Sequence, residues 1–220
     1  MTASEGTIHF AYDLKAPASA GAPPADDEAA PDPGLPPQLL AWQELLQRLT
    51  LLDRGRDGNG ISYRERPNHA TFALTPPGGQ PKPGNAPANI DAPIRILGCN
   101  LQRFWIDAEG VCAPGPESLL HGAIYAADPR VQWVIQARCP PLWRHAEALG
   151  LPSTEAGISA HSAELIQALG LLVSTHQSRP LVLAVPGDAD CVFACGPTAR
   201  DTAGLLISYL ARALTFEPQP

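Results

Sequence analysis

Residues 116–143 read PESLLHGAIYAADPRVQWVIQARCPPLW, and two different periodicities follow each other inside them. Glu117, His121 and Tyr125 recur every four residues, the spacing that puts side chains on one stripe of an α-helix. Pro116 suits the first turn of such a helix. Asp128-Pro129 ends it, because a residue before proline is pushed out of the helical region. In the next stretch the period is two. Gln136 and Arg138 share one face of a strand, while Val131, Trp133, Ile135 and Ala137 take the other, apolar face. An acid at a helix start therefore faces two polar side chains from one strand, which predicts a polar pocket between them.

The same periodicities organise the rest of the chain. Upstream, PPQLLAWQELLQRLTLLDRG (36–55) places Leu39, Trp42, Leu45, Leu46 and Leu49 at helical spacing, with prolines before and Gly55 after. GISYRER (60–66) and HATFALT (69–75) read as two strands around a turn at Pro67-Asn68. A long Pro/Gly loop (75–89) leads to two further strands, IRILGCN (94–100) and FWIDAEG (104–110). Downstream, 140–150 and 161–172 read as helices, and 181–187 and 190–196 as strands. A closing helix over 200–214 carries Ala203, Leu206, Ile207, Leu210 and Leu214 as one apolar stripe. Strands come both in adjacent pairs and separated by helices, so the expected fold is α/β, with a mixed, largely antiparallel central sheet covered by helices.

Residues 1–36 differ. APASAGAPPADDEAAPDPGLPP (16–37) is rich in Pro, Ala and acid and cannot build a packed face. Only Ile8–Tyr12 alternates like a short strand. This part is read as an arm or linker on the domain surface or on a neighbouring subunit, and residues 37–217 as the folded domain.

Composition narrows the function classes. At 220 residues and 45% apolar, the chain suits one domain with a sizeable core. Its formal charge of −7 argues against a nucleic-acid partner, which needs a basic surface. No apolar run approaches the ~20 residues of a membrane span, and the N-terminus lacks the pattern of a secretory signal. The five cysteines show no Cys-x-x-Cys spacing and are expected as buried thiols in a reducing cytoplasm. No Gly-x-Gly-x-x-Gly, Walker-type, Gly-x-Ser-x-Gly or His-Glu-x-x-His motif is present.

PESLLHGAIYAADPRVQWVIQARCPPLW resembles the class II aldolase/adducin pattern, in which a Ser-Ser-Glu helix start leads through His and Tyr to a strand ending in His-x-His. Upstream, DGNGISYRE (57–65) and LTPPG (74–78) are similar to its Gly-Asn-x-Ser and Thr-Pro-x-Gly elements. LPSTEAGISAHSAEL (151–165) and PGDADCVFACGPTARDTAG (186–204) are similar to its closing region, so the likeness runs from about Gln38 to Leu214. It implies a three-layer α/β/α fold, an aldehyde-lyase ancestry and a homo-oligomer, commonly a tetramer with the pocket at a subunit boundary. It also implies Glu117 as acid/base; Asn59, Thr75, Gly78 and Gln136 are the candidate substrate-binding positions, and Tyr125 is a candidate helper if the chain is a metal-independent enzyme.

The departures from that pattern concern the metal. Where the family holds a divalent ion, commonly zinc, with His-x-His and a later third histidine, this chain has Gln136-Ala137-Arg138. The third position falls at Asp188, and no histidine follows His176. An amide oxygen is a poor zinc donor and a guanidinium cannot donate at all. A fixed positive charge ~4 Å from a dication costs roughly 8 kcal/mol at an effective dielectric near 20. Gly115-Pro116 also replaces the Ser-Ser pair, and Pro77 a phosphate-binding threonine. The expectation is therefore a dismantled metal site without a cofactor, in a binding or structural module. In this reading Arg138 takes over the metal's role by pairing with Glu117, and a small carboxylate is the conceivable ligand. Two other readings stay open. One is a metal-independent lyase or isomerase on a small hydroxy- or keto-acid, with Glu117 as acid/base and Arg138 stabilising an enolate. The other is a divergent zinc-dependent aldolase with ligands from Asp188, Glu117 and His121.

Overall fold

The computed structural model describes residues 10–16, 37–52, 59–75, 93–160, 162–187 and 190–217. Its elements in chain order are β1 (Ala11–Lys15), α1 (Pro37–Arg48), β2 (Gly60–Arg64), β3 (Phe72–Leu74), β4 (Ile94–Asn100), β5 (Trp105–Glu109), α2 (Glu117–Ala127), β6 (Trp133–Ala137), α3 (Pro140–Arg144), α4 (Ala163–Thr175), β7 (Leu181–Val185), β8 (Cys191–Gly196) and α5 (Ala199–Ala213). All eight strands form one sheet in the order β1-β5-β4-β3-β2-β6-β8-β7. Every pairing is antiparallel except that of β1, which runs parallel to β5 at the edge. The mixed, largely antiparallel sheet expected from the sequence is thus observed. The short strand expected over 8–12 lies at Ala11–Lys15, where it joins the domain's own sheet; Ile8 and His9 are outside the described residues.

Side-chain alternation along the central strands makes the three layers. Leu181, Leu183 and Val185 of β7, with Cys191, Phe193 and Cys195 of β8, pack under α2 and α4. Val182 and Ala184, with Val192 and Ala194, pack under α1, α3 and α5. Because both faces are covered, LVLAV and CVFAC read as unbroken apolar runs rather than alternating ones. Burying one leucine or isoleucine here contributes about 1.5–3 kcal/mol. In the closing helix Ala203 and Leu206 are buried, Ile207 and Leu210 only partly, and Leu214, beyond the last turn, is 49% exposed. Val131 also departs from its expected face. It precedes β6 and packs with α2 and α4, while Trp133, Ile135 and Ala137 face the other layer as expected.

Two local features hold α2 close to the sheet. Gly122 lets the helix approach β4, since a Cβ there would lie 2.6 Å from Cys99 Sγ. At its C-cap, Asp128 forms an ion pair with Arg179 (2.7 Å) in which both side chains are buried, and another with Arg130 (2.8 Å). All five cysteines are free, and burial raises the thiols of Cys99 and Cys191 to about 12 and Cys195 to about 11. They are inert packing groups at neutral pH. No helix among the described residues is long and apolar enough to cross a membrane.

The Arg130 side chain, helped by its backbone N–H and by Arg179 and opposed by burial, holds the Asp128 carboxyl below the usual aspartate range. A depressed carboxyl stabilises the fold fully above its unfolded pKa, and that contribution is lost as pH falls through the folded value. Asp128→Ala strands the Arg179 guanidinium, so a loss of about 3–5 kcal/mol is expected in urea unfolding at pH 7, shrinking below about pH 4.

Candidate functional site

The site lies where α2 crosses β2 and β6. Its innermost part is a chain of buried polar side chains. Tyr125 Oη and Ser62 Oγ are 2.9 Å apart, and Ser62 Oγ is 2.7 Å from His121 Nδ1. Ser62 has one proton and so donates to only one of these neighbours, accepting from the other. Beneath this chain, Arg64 reaches three backbone carbonyls, of His69 (2.6 Å), Tyr125 (2.8 Å) and Val131 (3.1 Å), and its guanidinium lies over the Tyr125 ring. Neither Ser62 nor Arg64 stood out in the sequence. The available signal was a hydroxyl and a cation, two apart, within a strand otherwise reading as core.

Tyr125 is therefore buried within this network, its hydroxyl also 3.4 Å from the Gln132 carbonyl, and burial pushes its phenol well above the usual range. His121 is fully buried, with its ring edge-on to Phe193. Burial lowers its pKa to about 3, against a weaker upward influence from the neighbouring Gln136 amide. The two side chains are neighbours without reaching hydrogen-bond geometry. His121 Nε2 and Gln136 Oε1 both lack a partner among the described residues, and Gln136 Nε2 approaches only Cys191 Sγ at 3.9 Å.

The mouth of the site is built at the junction of β2 and β6, where Gly60 is paired with Gln136. Asn59, just before β2, accepts a hydrogen bond at Oδ1 from the Arg138 backbone N–H (2.8 Å), which leaves its buried Nδ2 without a partner among the described residues. Arg138 is half-buried. Among the described residues its side chain forms no ion pair, and its Nε has no hydrogen-bond partner. The Arg138–Glu117 pair expected from the sequence is not formed. Thr75 extends the β2–β3 pairing, since its Oγ1 accepts from the Ile61 N–H (2.9 Å) and its own N–H donates to the Ile61 carbonyl (2.9 Å).

Glu117 is only 3% exposed at the first position of α2. Its carboxylate folds back over Gly115, into the space a side chain at 115 would fill. Helix α2 and strand β6 run in opposite directions, with Tyr125 beside Gln132 and His121 beside Gln136. The structure thus brings Asn59, Gln136 and Arg138 together at the β2–β6 junction, with His121 and Tyr125 beside it on α2 and Thr75 just after β3, while Glu117 lies over Gly115 at the start of α2. Gly78 and Asp188 lie outside the described residues.

Several solved structures share this architecture. YgbL from Klebsiella pneumoniae, described as a putative aldolase/epimerase/decarboxylase, superposes with a TM-score of 0.55 at 13% identity, covering 81% of this chain and 86% of that one. An aldolase II superfamily protein from Pseudomonas syringae gives 0.54 at 14% identity, covering 81% and 72%. An L-fuculose 1-phosphate aldolase gives 0.56 at 12% identity, covering 81% and 82%. The chain has the class II aldolase fold. The resemblance carried by residues 116–143 and their flanks is borne out at that level. No protein-family model and no curated protein matches the chain by sequence.

Within this class II aldolase fold, the two positions that the resemblance makes metal ligands carry the Gln136 amide and the Arg138 guanidinium. Neither suits a divalent ion, and no cluster of three or more His, Cys, Asp or Glu side chains placed to hold one occurs among the described residues. The Gln136 and Arg138 side chains do not suit zinc, and the third position, Asp188, lies outside the described residues.

The depressed pKa of His121 gives a second expected outcome. A folded value below the ordinary 6.5 means that the fold favours the neutral ring. The associated stability is complete above about pH 6.5 and erodes as pH falls from there towards about 3. The NMR signals of the His121 ring should be those of a neutral imidazole at pH 5, and His121→Gln should flatten the stability profile between pH 6.5 and 4. A wild-type ring at this position titrating near 6.5 would contradict the burial argument.

Proposed function

We propose that this chain uses the class II aldolase fold as a metal-free binding module for a small carboxylate. The observation that carries this reading is a set of buried polar atoms without partners among the described residues at one junction: Asn59 Nδ2, Gln136 Oε1 and Arg138 Nε. Leaving a buried donor or acceptor unsatisfied costs about 1–3 kcal/mol each, so a fold retaining several together is completed by a ligand or by water. Arg138 adds a permanent charge with the planar geometry that suits a carboxylate. Gln136 and Arg138 in place of metal-binding histidines support a lost metal site, with no cofactor. The inert thiols fit a reducing cytoplasm. The fold class favours a homo-oligomer, a tetramer in the resemblance, which a mass measurement in solution tests.

A second reading is supported by Glu117, a buried carboxylate one helix turn from His121. In that reading the protein is a metal-independent lyase or isomerase of small hydroxy- or keto-acids, with Glu117 moving the proton and Arg138 stabilising the enolate.

A thermal-shift screen of glycolate, lactate, pyruvate and malate against metal-analysed protein separates these readings. Binding without turnover, weakened at least about tenfold by Arg138→Met, is expected for the module. Turnover abolished by Glu117→Ala would favour the enzyme. Stoichiometric zinc or manganese in protein purified without chelator would overturn both.

A further inference from the structure

We infer that the buried line Tyr125–Ser62–His121 fixes His121 as its Nε2–H tautomer and so positions Gln136, its carbonyl oxygen toward the ring and its NH2 group toward the mouth of the site. The argument is an account of protons. Tyr125 Oη has two acceptors in reach. Ser62 Oγ lies at 2.9 Å, while the Gln132 carbonyl lies at 3.4 Å and already takes the Arg64 N–H at 2.8 Å. The nearer acceptor takes the phenol proton, and Ser62 sends its own to His121 Nδ1 at 2.7 Å. Burial keeps the ring neutral, so its one proton then sits on Nε2. The opposite polarity costs more. A proton on Nδ1 leaves the Nε2 lone pair and Gln136 Oε1 as two buried acceptors side by side, with no donor among the described residues. The Gln136 amide also favours an added proton on the ring, which is the effect of its oxygen, not its NH2 group, facing His121.

The strand register shows where the other end of the amide points. Gln136 is paired with Phe193, whose ring meets His121 edge-on, so the amide and the imidazole share one level. Gln136 Nε2 approaches Cys191 Sγ at 3.9 Å, two residues along β8 and at the Arg138 end of β6. Asn59 lies at that same end, where its Oδ1 accepts from the Arg138 backbone N–H. The mouth therefore offers donors from three side chains, Asn59, Gln136 and Arg138. His121 touches no ligand in this arrangement; it acts through Gln136. The consequence for binding rests on the proposal that this pocket takes a small carboxylate. An α-keto oxygen is then served by the Gln136 NH2 group, whereas the proton of an α-hydroxyl finds no acceptor on it.

Proton–nitrogen NMR of the histidine rings at pH 7 reads the tautomer directly, with His121 assigned by its loss in His121→Gln. Wild-type protein should show the Nε2–H form. Gln136→Glu keeps an oxygen beside the ring and should retain that form. Gln136→Met removes the acceptor, so the ring should move largely to Nδ1–H, donating to Ser62, which then donates to Tyr125. A ring that only fills space would not respond. An Nδ1–H ring in wild type, its loss of Nε2–H in Gln136→Glu, or an unchanged tautomer in Gln136→Met would each overturn the inference. Ligand affinities test the outward NH2 group separately. Pyruvate should bind at least as tightly as lactate, and Gln136→Glu should weaken both by at least about tenfold. Tighter binding of lactate would show that the amide is turned the other way. If no acid binds protein whose ring is Nε2–H and responds to Gln136→Met, the carboxylate reading fails and the relay stands.

Discussion

The placement of every side chain in the site depends on how α2 is held against β2 and β6. That contact is made by a phenol, a hydroxyl and an imidazole buried in line, Tyr125, Ser62 and His121. Apolar contacts alone would tolerate a small slide of the helix. Hydrogen bonds between buried groups do not, because a broken one leaves a desolvated polar atom behind. Arg64 reinforces the same register by reaching the Tyr125 carbonyl on the helix and the Val131 carbonyl on the approach to β6. One turn before His121, Glu117 opens the helix with its carboxylate over Gly115.

At the two positions where the pattern that residues 116–143 resemble has metal-binding histidines, this chain carries an amide and a guanidinium. A dication can leave, be exchanged and lower the pKa of a bound water. A guanidinium is covalently fixed, always protonated and without a lone pair to offer. Around them Gln136 contributes a neutral amide, Asn59 accepts from the Arg138 backbone N–H, and the Glu117 carboxylate sits over Gly115.

Much of the architecture was legible in the sequence because periodicity is a local property. The four-residue spacing of Glu117, His121 and Tyr125 gave α2, and the two-residue spacing of Gln136 and Arg138 gave their common face. The unbroken apolar runs of β7 and β8 marked strands covered on both sides. The sequence was less informative where a strand borrows its partner from afar. β1 pairs in parallel with β5, roughly ninety residues on, and nothing in Ala11–Lys15 itself specifies that neighbour. Ser62 and Arg64 were passed over for a similar reason: their partners, His121, Tyr125 and Val131, are remote in the chain.

The sequence by itself determined the element types, the largely antiparallel sheet and the replacement of donor-bearing histidines by an amide and a guanidinium, since each follows from residue identity and spacing. Only the tertiary structure decided where the charges point. Sequence spacing brought Glu117 and Arg138 to facing elements and suggested that they pair, but two opposite charges also need a path to each other. A missing Cβ at Gly115 offers the Glu117 carboxylate another resting place, and that choice depends on atoms packed in three dimensions rather than on position along the chain.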